Sequence, residues 1–226
     1  MSSWLVPALC ALGGAAAGAA SRVLLGRLRR GTVVRPGPLE VASALLAGLG
    51  GASSFPDGPW PLVLWVGVLA VPLAAVDLRH HRLPDALTLP AVPLTLVVCA
   101  IDRWWGGGTG DLGRAAVAGA AVGGLFLLLA TLRPDAMGRG DAKLAFGLGI
   151  ALGYVSWPAV LLGMFGGFLA GSLVGLAGVV TRRFGLRSAI AFGPALLLGC
   201  WVVLAVPSLP AWFSGTAGAS AAAGWP

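Results

Sequence analysis

The chain has 226 residues, of which 58% are hydrophobic and 10% charged, with a formal net charge of +7 and a mean hydropathy of +0.90. That balance excludes an ordinary soluble domain and defines a polytopic membrane protein. The basic excess does not indicate a nucleic-acid partner, because it falls in short loops between apolar runs, where arginines set topology and meet anionic lipid.

In chain order, apolar runs are expected at about 4–25, 39–55, 60–76, 86–101, 112–132, 143–156, 157–180 and 189–207. No basic residue precedes the first run, and its basic cluster follows it, which reads as a retained first helix with its N-terminus outside. Turn signals separate the runs, among them Arg35-Pro36-Gly37-Pro38, Pro56-Asp57-Gly58-Pro59 and Ser156-Trp157-Pro158. The sixth run, of about 14 residues, spans only ~21 Å against a hydrocarbon core of ~30 Å, so a partial or tilted helix is expected there. Glycines such as Gly163, Gly167 and Gly171 suit close helix packing in lipid. The fold expectation is therefore an all-α transmembrane bundle of about seven or eight helices, a single domain over 1–226 with a poorly ordered tail after about 207.

Charge asymmetry orients the bundle. Loops 22–38, 77–85, 133–143 and 181–188 hold every Lys and Arg except Arg103 and Arg114, so these four loops are assigned to the cytoplasm. Trp4, Trp60, Trp104, Trp105, Trp157 and Trp212 fall near the opposite ends of the runs, as an interfacial belt would. Cys10, Cys99 and Cys200 lie inside apolar runs without a CxxC pair and imply neither a disulfide framework nor a zinc site.

Only eight acidic residues occur. Asp57, Asp102 and Asp111 are expected in solvated outer loops. Glu40 and Asp135, in basic inner loops, are expected to pair with arginines. Asp85 precedes the fourth run at a helix N-cap position. Asp77 and Asp141 each sit where an apolar run meets an arginine-rich loop, at the same depth and on the same side. Two such carboxylates suggest an aspartyl protease at a membrane surface; capping or ending helices near the headgroups is the alternative for each. Arg79, His80, His81 and Arg82 read as a solvated interfacial face.

The surroundings of the two carboxylates carry a resemblance. Asp77, six residues, then Pro84-Asp85, followed by Gly138-Arg139-Gly140-Asp141-Ala142-Lys143-Leu144, resembles the type IV prepilin peptidase family of GxGD membrane aspartyl proteases. Ala191-Phe192-Gly193-Pro194 is similar to that family's Pro-Phe-Gly-Pro segment, with alanine in place of the first proline. The resemblance implies a leader peptidase in the bacterial inner membrane, its active site facing the cytoplasm. Its substrates would be prepilins or pseudopilins, and its reaction needs no cofactor. Asp77 and Asp141 would be the catalytic pair, with Gly138, Gly140, Pro84, Asp85 and Lys143 in support. The chemistry is coherent: one ionised carboxylate draws a proton from water while a protonated one gives a proton to the scissile carbonyl oxygen.

Gly138 and Gly140 would admit substrate backbone or a second helix beside Asp141, and Pro84 would fix the loop beneath the site. Lys143, the only lysine, matches a position of that family, which implies that it tunes the pair or meets substrate; the alternative is a residue that snorkels to the headgroups. Many family members carry a cysteine-containing cytoplasmic insert after the first helix, associated with N-methylation of the product. Gly26 to Leu39 holds no cysteine, so a peptidase without methyltransferase activity or zinc is expected. Two other classes compete. A proton-coupled transporter would also hold paired carboxylates, and a non-catalytic pilus or secretion assembly factor would tolerate their loss.

Overall fold

The computed structural model describes residues 4–27, 35–55, 58–80, 83–105, 107–132, 138–182 and 191–213. These form nine helices: α1 (Leu5–Arg27), α2 (Pro38–Ser54), α3 (Trp60–His80), α4 (Asp85–Trp105), α5 (Leu112–Leu132), α6 (Arg139–Val155), α7 (Trp157–Val180), α8 (Gly193–Ala205) and α9 (Ser208–Phe213). No strand occurs among the described residues. Five helices (α1, α3, α4, α5 and α7) are long and apolar enough to cross a membrane. The protein is thus an all-α, multi-pass helix bundle, as a chain must be that satisfies its backbone within each segment in lipid.

Several boundaries differ from the sequence expectation. α3 continues to His80 instead of stopping near 76, so Asp77 lies inside its last turn. α6 begins at Arg139 instead of 143, placing Asp141 in its first turn. Both shifts have one cause: backbone hydrogen bonding carries a helix past the residue at which hydropathy falls. The tail expected to be poorly ordered after 207 forms the short α9, and residues 214–226 lie outside those described.

α6 is the centre of the bundle. Eleven of its 17 residues are buried, and it packs against α4, α5, α7 and α8. Small residues allow this. A Cβ at Gly119 would lie 2.5 Å from Ile150 Cγ1, and one at Gly149 would lie 2.9 Å from the Ala118 carbonyl oxygen, so α5 and α6 approach nearly backbone to backbone. The expected glycine packing on α7 is likewise present: Gly163 abuts Leu152, Gly167 abuts Leu196 and Gly171 abuts Phe192.

α1 and α2 form a second unit, with Gly14 and Gly18 pressed against the α2 backbone. Leu25, Leu39 and Val76 form a small core that attaches this pair to α3, one residue before Asp77. Gly37, at φ +109°, makes the turn into α2 that side chains rarely adopt. Glu40 accepts from the Gly37 N–H at 2.9 Å and pairs with Arg22 at 2.7 Å, the arginine pairing expected of it. Asp135 and Asp57 lie outside the described residues.

Candidate active site

Asp77 is 4% exposed. Its Oδ2 accepts the backbone N–H of Gly193 at 3.0 Å, across 116 residues of chain. Gly193 opens α8, with Pro194 behind it in the first helical turn. The first N–H groups of a helix have no intrahelical partner, and the positive end of its dipole favours an anion. The α8 N-terminus is therefore a natural mount for a carboxylate. A Cβ at Gly193 would lie 2.9 Å from Asp77 Oδ2, so a side chain there would displace the carboxylate from this N–H.

Asp141 is partly buried in the first turn of α6, its own N–H donating to the Gly138 carbonyl at 3.1 Å. Burial, and after it the charge of the nearby Asp77, opposes ionisation of Asp141. The fold thus brings together the two acids singled out in the sequence, at one end of the bundle where α3 ends and α6 and α8 begin.

The supporting residues divide. A Cβ at Gly140 would lie 2.9 Å from Leu83 Cβ and 3.4 Å from the Leu83 backbone nitrogen and oxygen. What approaches Gly140 is thus Leu83, in the segment between α3 and α4. A Cβ at Gly138 would meet Asp141 Oδ2 at an ordinary 3.4 Å and the Gly140 nitrogen at 3.9 Å. The Pro84 carbonyl accepts from the Leu87 and Thr88 N–H groups at 3.0 and 3.2 Å, which starts α4.

Asp85, expected as an N-cap, is instead the first residue of α4, and its carboxylate takes the Lys143 ammonium at 2.6 Å. Lys143 thereby joins α6 to α4. Arg79 and His80 are exposed at the end of α3; His81 and Arg82 lie outside the described residues. Among the described residues no group of three or more His, Cys, Asp or Glu could hold a metal ion.

Gly193 and Leu83 hold more of this site than their residue types announce. The signal for Gly193 was a glycine followed by proline at a helix start, which offers a free N–H. No comparable signal marks Leu83.

Asp102 is the clear correction. Expected in a solvated outer loop, it lies within α4 at 1% exposure and accepts the Tyr154 hydroxyl at 2.9 Å. α4 extends past 101 to Trp105, which draws this carboxylate into the protein. Asp111, by contrast, is exposed as expected. The backbone N–H of Arg114 at 2.8 Å, its main stabilising contact, holds its carboxyl below the usual range.

The comparisons with known proteins agree with this geometry. The chain is 35% identical over 167 residues to a prepilin leader peptidase/N-methyltransferase of Burkholderia pseudomallei, covering 71% of this chain and 51% of that protein. It is 29% identical over 144 residues to the protein of that name in Bacillus subtilis, covering 62% and 53% respectively. The Neisseria gonorrhoeae protein of that name is 33% identical over 139 residues, covering 59% and 44%. The chain therefore spans about half the length of the curated relatives it matches. No solved structure matches it. The profile of the type IV leader peptidase family matches residues 60–176, from the start of α3 through both aspartates into α7. With that match over half of its length, the chain belongs to the type IV leader peptidase family.

Proposed function

We propose that this chain is a membrane-embedded aspartic endopeptidase, one domain over 1–226, that removes the leader of type IV prepilin-like proteins. Asp77 and Asp141 are the catalytic pair in this reading. The observation that carries it is their convergence at one end of the bundle within electrostatic reach. Two carboxyls so placed share a proton more readily than they both ionise, which provides the base and the acid that peptide hydrolysis needs. The ionised member takes a proton from the attacking water. The protonated member gives one to the scissile carbonyl oxygen, and the tetrahedral intermediate collapses to release leader and mature subunit.

The site faces the cytoplasm of a bacterial inner membrane in this reading. Support comes from the basic residues gathered at that end of the helices, including Arg79 at the end of α3 and Arg139 and Lys143 at the start of α6. The relatives are named as peptidase and N-methyltransferase. For this chain we assign peptidase activity without methylation, since Gly26 to Leu39 holds no cysteine. Gly193, Gly140 and the Asp85–Lys143 pair support the dyad.

The test is cleavage of a prepilin co-expressed in membranes with wild type, Asp77→Asn or Asp141→Asn. Asparagine keeps size and shape but cannot exchange the proton. Loss of the leader shift in each variant, at unchanged protein level, is the expected result. Normal cleavage by both would remove the dyad, and absence of cleavage even by wild type is what a non-catalytic assembly factor would show.

A further inference from the structure

Between the two acid-bearing segments stands one side chain that takes no part in proton transfer. Leu83 is 8% exposed, in the short connection from α3 to α4. A Cβ at Gly193, the residue whose N–H holds Asp77, would lie 3.5 Å from Leu83 Cδ1. A Cβ at Gly140, the residue before Asp141, would lie 2.9 Å from Leu83 Cβ. Leu83 therefore packs on both mounts at once: its tip faces the α8 N-terminus, and its stem and backbone face the α6 N-terminus. Both mounts are glycines, so no intervening side chain cushions either contact. Interiors are close-packed, and a change in this one side chain must move one of the two helix starts or leave a void.

We infer that Leu83 is a positioning residue that sets the separation of the Asp77 and Asp141 carboxylates. This rests on the catalytic reading above. Leu83 acts through the two glycines. Deleting its side chain lets the α6 and α8 starts shift, and a displacement near 1 Å is enough to cost on the order of 100-fold in turnover. Methionine, similar in volume and flexible, restores the spacing.

The test has two arms on the full-length chain in membranes. In the first, prepilin cleavage is measured for Leu83→Ala, Leu83→Met and, as a milder deletion, Leu83→Val, with thermal melting in detergent checking the fold. The expected result for Leu83→Ala is a fall in kcat of about 10- to 100-fold with KM little changed. Leu83→Val falls less, and Leu83→Met stays near wild type. In the second arm, cysteines replace Asp77 and Asp141, alanines replace Cys10, Cys99 and Cys200, and bis-maleimides of graded span join the pair. Adding Leu83→Ala is expected to change which span joins them fastest.

An unchanged span profile overturns the inference, whatever cleavage shows. So does a rise in KM alone, which would mean that Leu83 touches substrate. If wild type cleaves no prepilin while the span profile shifts with Leu83→Ala, the spacing role stands and the peptidase reading falls.

Discussion

Both ends of the bundle bury a carboxylate, and the two are held in opposite ways. At the far end, Asp102 on α4 accepts a hydroxyl from Tyr154 on α6. Beside it the Arg114 guanidinium, from α5, donates to the carbonyls of Gly153, Tyr154 and Val155 at 2.6, 2.7 and 2.7 Å. The Asp111 N–H closes the same turn onto the Tyr154 carbonyl at 3.0 Å. Asp102 Oδ1 is left without a hydrogen-bond partner among the described residues, but the cluster ties α4, α5 and α6 together. At the near end, Asp77 accepts a backbone N–H, and its charge bears on a second acid, Asp141. Burial alone therefore does not mark a reactive carboxylate. A neutral donor meets one oxygen of the first, whereas a like charge stands near the second.

Substitutions can break this comparison, and the largest effect falls on the near end. Asp77→Asn and Asp141→Asn are each expected to lower cleavage by about 10²–10⁴-fold, the range for general acid–base groups, at unchanged melting temperature in detergent. Gly193→Ala comes next. Its Cβ would collide with the Asp77 carboxylate, and a loss of about 100-fold in kcat is expected in single-turnover cleavage, again with the fold intact.

The far end is expected to answer in stability instead. Arg114→Ala and Tyr154→Phe each strip a buried acceptor of its donor and should cost about 1–3 kcal/mol, read by chemical denaturation in micelles, while residual cleavage per folded molecule stays near wild type. A loss of turnover at full stability in Tyr154→Phe would mean the two ends are coupled.

The smallest effect belongs to the Asp85–Lys143 pair. Its side chains are 63% and 31% exposed, so Lys143→Gln should cost about 0.2–1 kcal/mol and change cleavage by no more than about fivefold. A loss of 100-fold would mean that Lys143 acts on substrate or on the dyad.

The near end was more legible in the sequence than the far end. Asp77 and Asp141 stand beside arginines and glycines, and their motifs occur in order. Asp102 carried no such signal: it sits beside Arg103 and ahead of Trp104-Trp105, a composition that reads as an interfacial loop. Its partner Tyr154 lies 52 residues away on another helix. Lys143 was legible as an outlier, but its partnership with Asp85 was not, because the two are 58 residues apart.

The sequence by itself determined the class, the spans and the candidate acids. Hydropathy reports transfer from water to lipid, and the rare charges show where the chain returns to water. Only the tertiary structure decided which way each helix faces. Residues against lipid and residues against protein are alike apolar, so the pattern that orients a soluble helix is erased. That is why the central place of α6, buried on most sides, could not be read from a run that looked merely short. It is also why the junction of Asp77, Gly193, Leu83 and Asp141 emerges only when three helix ends are packed together through contacts that glycine alone permits.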